Sequence, residues 1–379
     1  MLKAGLLFLV IIALAFLVNQ LHGSPTGLAT MQKVPAPMRM LAGGQRVTPI
    51  LAETVVEAPS RPVVTQSFQR GTSSPAISAA CGNPITTCCE ITASGSYTLG
   101  ANIADPDTCI SIDVDDVDID CLGLMINYSG VQGGDAIFAV DQRNISVRNC
   151  FLNQTQDIFP YFSNDAINWT NVVNSSIVNS TMNIGFSSAA VTLLGGQNVT
   201  IANNTITQLT FSAEGITVLN ANNTTVVNNT GLTLSIIGSV NSTVAGNNIS
   251  DSTTALFFSG TNFSTIVNNT ALSTGGRGLR MISGVNNTIQ NNSLTASVSV
   301  GLRLDGSSNN TIVNNTGFSS SSQGILLDTG SSFNTLVNNT GISTSQQGIL
   351  IFTDSNNNSV LPSNGHSAFN SGIRIQGVI

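Results

Sequence analysis

Residues 198–205 read NVTIANNT, and close copies of this octapeptide recur as far as residue 340. Measured at the first residue of each N-N pair, or at the glycine that once replaces it, the successive steps are 25, 18, 22, 23, 23 and 24 residues. Self-similarity at such a period is typical of a solenoid, in which each repeat forms one coil. The marker positions are Asn203, Asn228, Gly246, Asn268, Asn291, Asn314 and Asn338.

A second motif lies between these octapeptides and has the period of a β-strand. It reads GLRL at 301–304 and GILL at 324–327, and apolar residues alternate around outward positions such as Arg303. Stacking such coils at about 4.8 Å buries Ile, Val and Leu and makes the sheets parallel. Asn and Gly suit the tight corners, and inward asparagines can form amide ladders between coils. We therefore predict an all-β parallel β-helix of about 11–13 coils.

The composition excludes one class of partner and divides the chain into three parts. Charged residues make up 8% of the chain and the net charge is −7, so the clustered Lys and Arg of a nucleic-acid binder are absent.

Residues 1–23, with an apolar run at 4–18, are predicted to be a signal peptide or an uncleaved anchor helix in the membrane. Residues 24–80 are Pro-rich and predict a disordered linker or pro-segment, and residues 81–379 predict the β-helix. We expect a secreted or cell-surface protein.

Cysteine usage agrees with export. An even number of cysteines in an exported chain predicts disulfides, although the sequence cannot choose among the pairings. No C-x-x-C pair begins a zinc site, and the two His residues lie far from the cysteines. The six residues predicted to form disulfides are Cys81, Cys88, Cys89, Cys109, Cys121 and Cys150.

The repeats G-I-x-L and N-x-T-[IV]-x-N-N-T resemble the right-handed parallel β-helix, or pectin-lyase-like, superfamily. The segments ITASGSYTLGANI (91–103) and CISIDVDDVDIDCLGLMI (109–126) resemble the first coils of one subgroup of it. That subgroup includes exported surface proteins and the periplasmic copper-maturation β-helix family. The resemblance covers residues 81–379 and implies a fold, whereas it says little about activity.

The chain lacks an assembled catalytic set of the kind that β-helix polysaccharide enzymes use. A glycosidase needs two carboxyl groups that flank the scissile bond. Resemblance to the galacturonan hydrolases would imply N-T-D, D-D, G-H-G and R-I-K motifs on consecutive coils, but the sole D-D pair falls in the first coil and G-H-G is missing. The remaining candidates for catalysis are Asp157, Asp165, Arg143 and Arg148.

An acidic run at 105–120 offers oxygen ligands that could bind calcium. In IDVDDVDID, apolar and acidic residues alternate, which predicts carboxylates on one strand face. The alternative is a solvated outer face on an edge coil, where charge discourages strand pairing with other chains. The candidates for calcium are Asp113, Asp115, Asp116 and Asp118.

The segment DIFPYFSNDAINW (157–169) concentrates aromatic residues in a chain with only 5% of them. Aromatic rings could stack on sugar rings while a carboxylate binds the hydroxyls. The alternative is a loop that packs its own aromatic side chains against the coil. The candidates for carbohydrate binding are Phe159, Tyr161, Phe162, Trp169 and Asp165.

Charged residues also form columns across neighbouring coils. Arg280 and Arg303 share one outward position, and Asp305 and Asp328 share another. This arrangement could contact an anionic sugar, although surface ion pairs are common and contribute little.

In the coils that follow, Leu326, Leu350 and Phe352 occupy these positions, which predicts an apolar oligomer contact. The chain also holds twenty-one N-x-S/T sequons, many of them within the N-N-T corners. We expect some of them to carry glycans on outward turns, and those whose asparagine faces inward to be inaccessible.

A structural repeat without a catalytic set predicts a non-catalytic, exported scaffold that contacts carbohydrate. A polysaccharide lyase or hydrolase is the first alternative. Copper handling, implied only by the resemblance, is the second, and it is disfavoured because the domain lacks the His and Met clusters that copper prefers. We expect no cofactor, with calcium left open, a glycan as partner, and a homo-oligomer as an open option.

Overall fold

A computed structural model describes residues 79–376, except for residues 106, 129–133, 156–164, 186–187 and 209–213. Within these ranges the chain forms 37 β-strands and no α-helix. The strands build three sheets of 13, 12 and 12 strands, and each strand pairs in parallel with its equivalent in the next coil. The predicted parallel β-helix and its number of coils are therefore confirmed. The predicted signal or anchor segment and all but the end of the linker lie outside the described residues.

Each coil contributes one strand to each sheet in turn. Sheet 1 consists of Cys89–Ile91, Ile110–Ile112, Ile137–Val140, Ile167–Thr170, Ala189–Leu194, Glu214–Leu219, Leu234–Ile237, Leu256–Ser259, Leu279–Ile282, Leu302–Asp305, Ile325–Asp328, Ile349–Ile351 and Ile373–Ile375. Sheet 2 consists of Gly95–Thr98, Val117–Asp120, Ile145–Arg148, Ser176–Val178, Thr200–Ala202, Thr225–Val227, Thr243–Ala245, Thr265–Val267, Thr288–Gln290, Thr311–Val313, Thr335–Val337 and Ser359–Val360. Sheet 3 consists of Ile103–Asp105, Met125–Tyr128, Phe151–Gln154, Thr181–Ile184, Thr205–Gln208, Thr230–Gly231, Asn248–Asp251, Thr270–Ser273, Ser293–Ala296, Thr316–Ser319, Thr340–Ser343 and Asn364–Ser367.

The core is a stack of identical or similar aliphatic side chains. In sheet 2, for example, Ile266, Ile289 and Ile312 are register partners on successive coils, and all three are fully buried. Because side chains alternate across a strand, the residues on either side of them point outward. The short strands therefore need only one or two aliphatic residues each to line a continuous core.

The two residues of each N-N pair have different roles. The first lies at a corner with a left-handed backbone, as at Asn268 with a φ of 56°, which asparagine tolerates better than most residues. The second is buried, as at Asn269, and its side-chain oxygen accepts hydrogen bonds from the backbone and side-chain amides of Asn247, both at 3.0 Å. The predicted amide ladder is confirmed.

One ladder runs between sheets 2 and 3, and a shorter one runs between sheets 1 and 2. Each member also donates its side-chain amide to a backbone carbonyl of the preceding coil, as Asn229 does to Ile201 at 2.9 Å. The buried amides are thus fully occupied with holding the corners together, as buried polar groups must be. The longer ladder contains Asn204, Asn229, Asn247, Asn269, Asn292, Asn315 and Asn339, and the shorter one contains Asn287, Asn310, Asn334 and Asn358.

Three disulfides join the first coils, so the predicted oxidation of all six cysteines is confirmed. They link Cys81 to Cys89, Cys88 to Cys109 and Cys121 to Cys150, with Cα–Cα distances of 5.0, 4.5 and 4.7 Å. The last two connect coils that are neighbours in the stack. They therefore fasten the coils at the amino-terminal end of the described β-helix.

Candidate functional site

The outer face of sheet 1 carries two columns of polar and apolar side chains. Register pairing places Phe257, Arg280 and Arg303 in one column. Ile282, Asp305 and Asp328 form the other column, two residues further along each strand. Since both columns point away from the core, the strand ladder presents these groups in a line along the stack.

Arg280, Arg303, Asp305 and Asp328 form one network, which we call the arginine–aspartate cluster. Arg280 Nε donates to Asp305 Oδ2 at 2.8 Å, and Arg303 Nε donates to Asp305 Oδ1 at 2.6 Å. A nitrogen of the Arg303 fork also reaches Asp328 Oδ2 at 3.2 Å. The Asp305 side chain is only 8% exposed, and those of Arg303 and Arg280 are 12% and 20% exposed. The network is therefore a largely desolvated part of the surface rather than a set of free surface ion pairs.

Partly exposed apolar side chains border the cluster. Phe257 and Ile282 lie before it on the outer face of sheet 1, and Phe352, which is 38% exposed, follows the strand that comes after it. The predicted apolar oligomer stripe is wrong for two of its three residues, because Leu326 and Leu350 are buried together with Val300 in a small cluster of their own. They pack against the protein itself and leave little surface for a second chain.

A second charged cluster lies on the outer face of sheet 2, in the first coils. Arg148 pairs with Asp118 and, through Nε at 3.0 Å, with Asp120 of the preceding coil. The side-chain amide of Asn149 and the backbone N–H of Leu122 donate to Asp120, and together with Arg148 they lower the pKa of its carboxyl group. The pKa of Arg148 is raised, chiefly by its hydrogen bond to Asp118. This cluster links two coils.

The residues predicted for catalysis are not brought together. Asp165 precedes a strand of sheet 1 and is buried, and its Oδ1 accepts the backbone N–H of Ala189 at 2.9 Å. Arg143 precedes a strand of sheet 2 and Arg148 is the last residue of that strand, where it pairs with Asp118 and Asp120. Asp157 lies outside the described residues. The described part of the chain thus shows no catalytic set built from these candidates.

The carbohydrate prediction for the segment 157–169 is wrong at Trp169. Its indole is fully buried inside sheet 1, in register with Ala139 and Leu193, so it offers no face to a sugar. The segment's single Trp therefore fills the core, since large aromatic side chains stabilise a core most. Phe159, Tyr161 and Phe162 lie outside the described residues.

The aspartates of the acidic run form an ion pair or accept hydrogen bonds. Asp118 faces outward beside buried Val117 and Ile119, as the alternation predicted, and pairs with Arg148. Asp115 accepts the backbone N–H of Arg143 at 2.8 Å, and Asp116 accepts the side-chain amide of Asn144 at 2.7 Å.

Asp113 lies beside Glu90 of the preceding coil, and their hydrogen bond raises the pKa of Glu90. No group of three or more His, Cys, Asp or Glu residues in the described ranges is arranged to hold a metal ion. The four calcium candidates are therefore not gathered into one site, and most of them bind the next coil.

Residues 139–317 match a family model described as periplasmic copper-binding protein (NosD). This match spans less than half of the chain, so it is a similarity to that family. The three parallel sheets that stack coil upon coil establish the fold of the described residues, a parallel β-helix. No curated protein sequence matches the β-helix.

Solved β-helix structures resemble this one at low identity. The periplasmic alginate epimerase AlgG is 12% identical, with a TM-score of 0.48, over 75% of this chain and 79% of its own. Tailspike protein 3 of bacteriophage CBA120 is 10% identical, with a TM-score of 0.33, over 77% of this chain and 56% of its own. The Streptococcus pneumoniae surface protein and adhesin PfbA is 12% identical, with a TM-score of 0.35, over 78% and 92%. These likenesses carry no information on the function of the β-helix.

The described residues of the β-helix do not fit copper. Copper sites are built from thiolate, thioether and imidazole ligands. All six cysteines are oxidised, and His366 is the single histidine among the described residues. Met182 and Met281 are buried in the core. None of the described segments forms an apolar helix of membrane-spanning length.

Sequence reasoning found the four members of the arginine–aspartate cluster but missed that they form one covered network. The signal was present, because a single register places Arg280 and Arg303, and Asp305 and Asp328, in adjacent outward columns. The burial of these four side chains could not be read from the sequence, because burial depends on how the turns before each strand lie over the sheet.

Proposed function

We propose that this protein is an exported, non-catalytic β-helix scaffold that contacts an extended carbohydrate along the outer face of sheet 1. The observation that carries the proposal is the arginine–aspartate cluster. Its guanidinium and carboxylate groups hold one another in fixed positions, and such groups match the paired hydroxyls of a sugar. Phe257 and Phe352 supply apolar surface for the C–H faces of sugar rings on either side.

The charge of the cluster narrows the ligand class. Two arginines and two aspartates balance each other, and the ion pairs between them leave no excess positive charge for a strongly anionic polymer. Equivalent positions repeat at about 4.8 Å along the stack, which offers an extended chain several contacts in a row. A neutral or weakly charged polysaccharide therefore suits this face best.

The hydrogen bonds of Asp305 favour binding over catalysis. Both of its carboxylate oxygens accept from arginine, so neither is free to move a proton or to attack a sugar. Export is supported by the match to a periplasmic family and by three disulfides, which persist in oxidising compartments.

A panel of neutral and acidic polysaccharides, screened with the full chain and followed by calorimetry on each hit, tests the proposal. We expect Arg303→Gln to weaken binding at least about tenfold, the loss of roughly 1.4 kcal/mol. Arg148→Gln is the matched control, because it removes the same guanidinium from an arginine with two aspartate partners on another sheet. Equal losses in both variants, or no binding by the unaltered chain, would overturn the proposal. Depolymerisation that disappears in Asp305→Asn would replace it with the lyase or hydrolase alternative.

The family match raises copper handling as a second candidate, although the donors described above do not fit it. Elemental analysis of the purified chain after incubation with copper and removal of unbound metal tests this alternative. Less than stoichiometric copper dismisses it, whereas one ion per chain would require a site built from residues other than those described.

A further inference from the structure

We infer that the corner between sheets 2 and 3 is a row of acceptor sites for N-linked glycans. Of the N-N-T and N-N-S sequons at this corner, five have both the asparagine and the hydroxyl residue exposed, and we call their asparagines the asparagine ridge. In each N-N-T or N-N-S corner, the sequon asparagine is the first of the pair, which faces solvent, and the buried ladder uses the second. The ridge consists of Asn203, Asn228, Asn268, Asn291 and Asn314, and all five are exposed.

Both ends of each ridge sequon are accessible. The left-handed backbone turns each asparagine outward, as at Asn228 with a φ of 55°. The hydroxyl residue two positions later begins a strand of sheet 3, and Thr230, Thr270 and Thr316 are exposed like their counterparts on the other ridge coils. Sequon recognition needs both the asparagine and this hydroxyl residue on the surface.

The fold does not use the side-chain nitrogens of the ridge asparagines within the described ranges, although Asn314 Oδ1 accepts the side-chain amide of Asn338 at 2.9 Å. The side-chain nitrogens of the five ridge asparagines donate to no protein group there, in contrast to the corner between sheets 1 and 2. At that other corner, Asn198 donates to Asn174 at 2.9 Å and Asn223 donates to Asn198 at 3.1 Å. A glycan on the ridge would therefore displace no hydrogen bond of the fold.

The chemistry is a group transfer from a lipid-phosphate-linked sugar donor, catalysed by a transferase of the exporting cell. The asparagine Nδ2 attacks the anomeric carbon and forms the C–N bond. The bond from that carbon to the donor's phosphate oxygen breaks, the phosphate leaves with the electron pair, and the amide nitrogen loses one proton to a base. No oxidant or reductant is needed.

The neighbouring surface gives the glycans a physical role. From Ser176–Val178 to Thr335–Val337, the outward residues of sheet 2 are uncharged and consist mainly of Thr and Val. In a protein with only 8% charged residues, glycans along the edge of this face would keep it hydrated and apart from other chains. They would leave the outer face of sheet 1 open.

Asn168 supplies an internal control. It belongs to the sequon N-W-T, but it is 9% exposed and its Nδ2 donates to Asp135 at 3.1 Å. The folded chain has no room for a glycan at this position, since the following residue is the buried Trp169.

The test is to produce the full chain in a secretory host that performs N-glycosylation and to map occupancy by peptide mass spectrometry after enzymatic deglycosylation in heavy-oxygen water. We expect glycans on the ridge asparagines and none on Asn168. Thr270→Ala should remove the glycan from Asn268, whereas Thr265→Ala, which alters an outward threonine outside any sequon, should leave occupancy unchanged. An unmodified ridge in the secreted, disulfide-bonded chain, or occupancy of Asn168 equal to that of the ridge, would overturn the inference.

Discussion

Asn229 donates its side-chain amide to Oδ1 of Asn247 at 3.0 Å, across a coil of only 18 residues. The next link, from Asn247 to Asn269, has the same length across 22 residues. Coil length therefore varies in the turns, whereas the corner that carries the ladder stays fixed. Buried amides impose this constancy, because each needs a partner at hydrogen-bond distance in the next coil.

We expect the ladder to make a large contribution to stability. Asn269→Ala leaves Asn247 without its acceptor and removes the side-chain donor to Asn292 and Val244, so we expect a loss of about 3 kcal/mol in the free energy of unfolding. Urea unfolding of chain produced without glycans measures it. Asn268→Gly, at the exposed and left-handed neighbouring position, is the control and should change stability by no more than about 0.5 kcal/mol. Equal effects of the two changes would mean that the ladder is not a main stabilising element.

The disulfide between neighbouring coils should matter at the amino-terminal end of the β-helix. Replacing Cys121 and Cys150 by Ala removes a link that closes 29 residues, and we expect a loss of about 3 kcal/mol. Chemical reduction should destabilise the unaltered chain by more than it destabilises this variant, because the variant has one disulfide fewer to lose. The same response to reduction in both proteins would show that this disulfide contributes nothing.

Charge balance in the arginine–aspartate cluster can be tested without a ligand. Asp305→Asn keeps the shape but leaves the guanidinium groups of Arg280 and Arg303 without their shared counter-charge in a largely covered place, so we expect a loss of about 2 kcal/mol. The loss should shrink as salt is added, since added ions screen the repulsion between the arginines. Asp354→Asn, at an exposed turn, is the matched control and should leave thermal unfolding unchanged.

Acid should weaken the contact between Asp120 and Arg148. The hydrogen bond from Asn149 and the arginine lower the pKa of Asp120 in the folded chain, so the carboxylate stabilises the fold at pH values above its ordinary pKa of about 3.9. That contribution disappears as the pH falls through the lowered pKa of the folded state. Asp120→Asn should therefore be less stable than the unaltered chain at pH about 7 and equally stable at pH about 2. A stability difference that is independent of pH in urea titrations would contradict this expectation.

The repeats in the sequence predicted structure well at positions where the same residue type has the same environment in every coil. The alternation in GLRL predicted strands, and the N-N pairs predicted a ladder of amides. Both predictions follow because stacked coils place equivalent residues of successive repeats next to each other. Single residues were harder to interpret. Trp169 occurs in an aromatic-rich segment, yet it fills the core, and the same pattern would also fit an exposed ring.

The sequence by itself determined the β-helix, its parallel sheets and the oxidation of its cysteines, because these follow from a repeat and from the number and context of the thiols. The tertiary structure decided which asparagine of each pair is outside, which cysteines pair, and that four charged residues form one covered network. These features depend on the direction of side chains and on which coils are neighbours. A linear pattern contains neither until the chain is wound into successive coils.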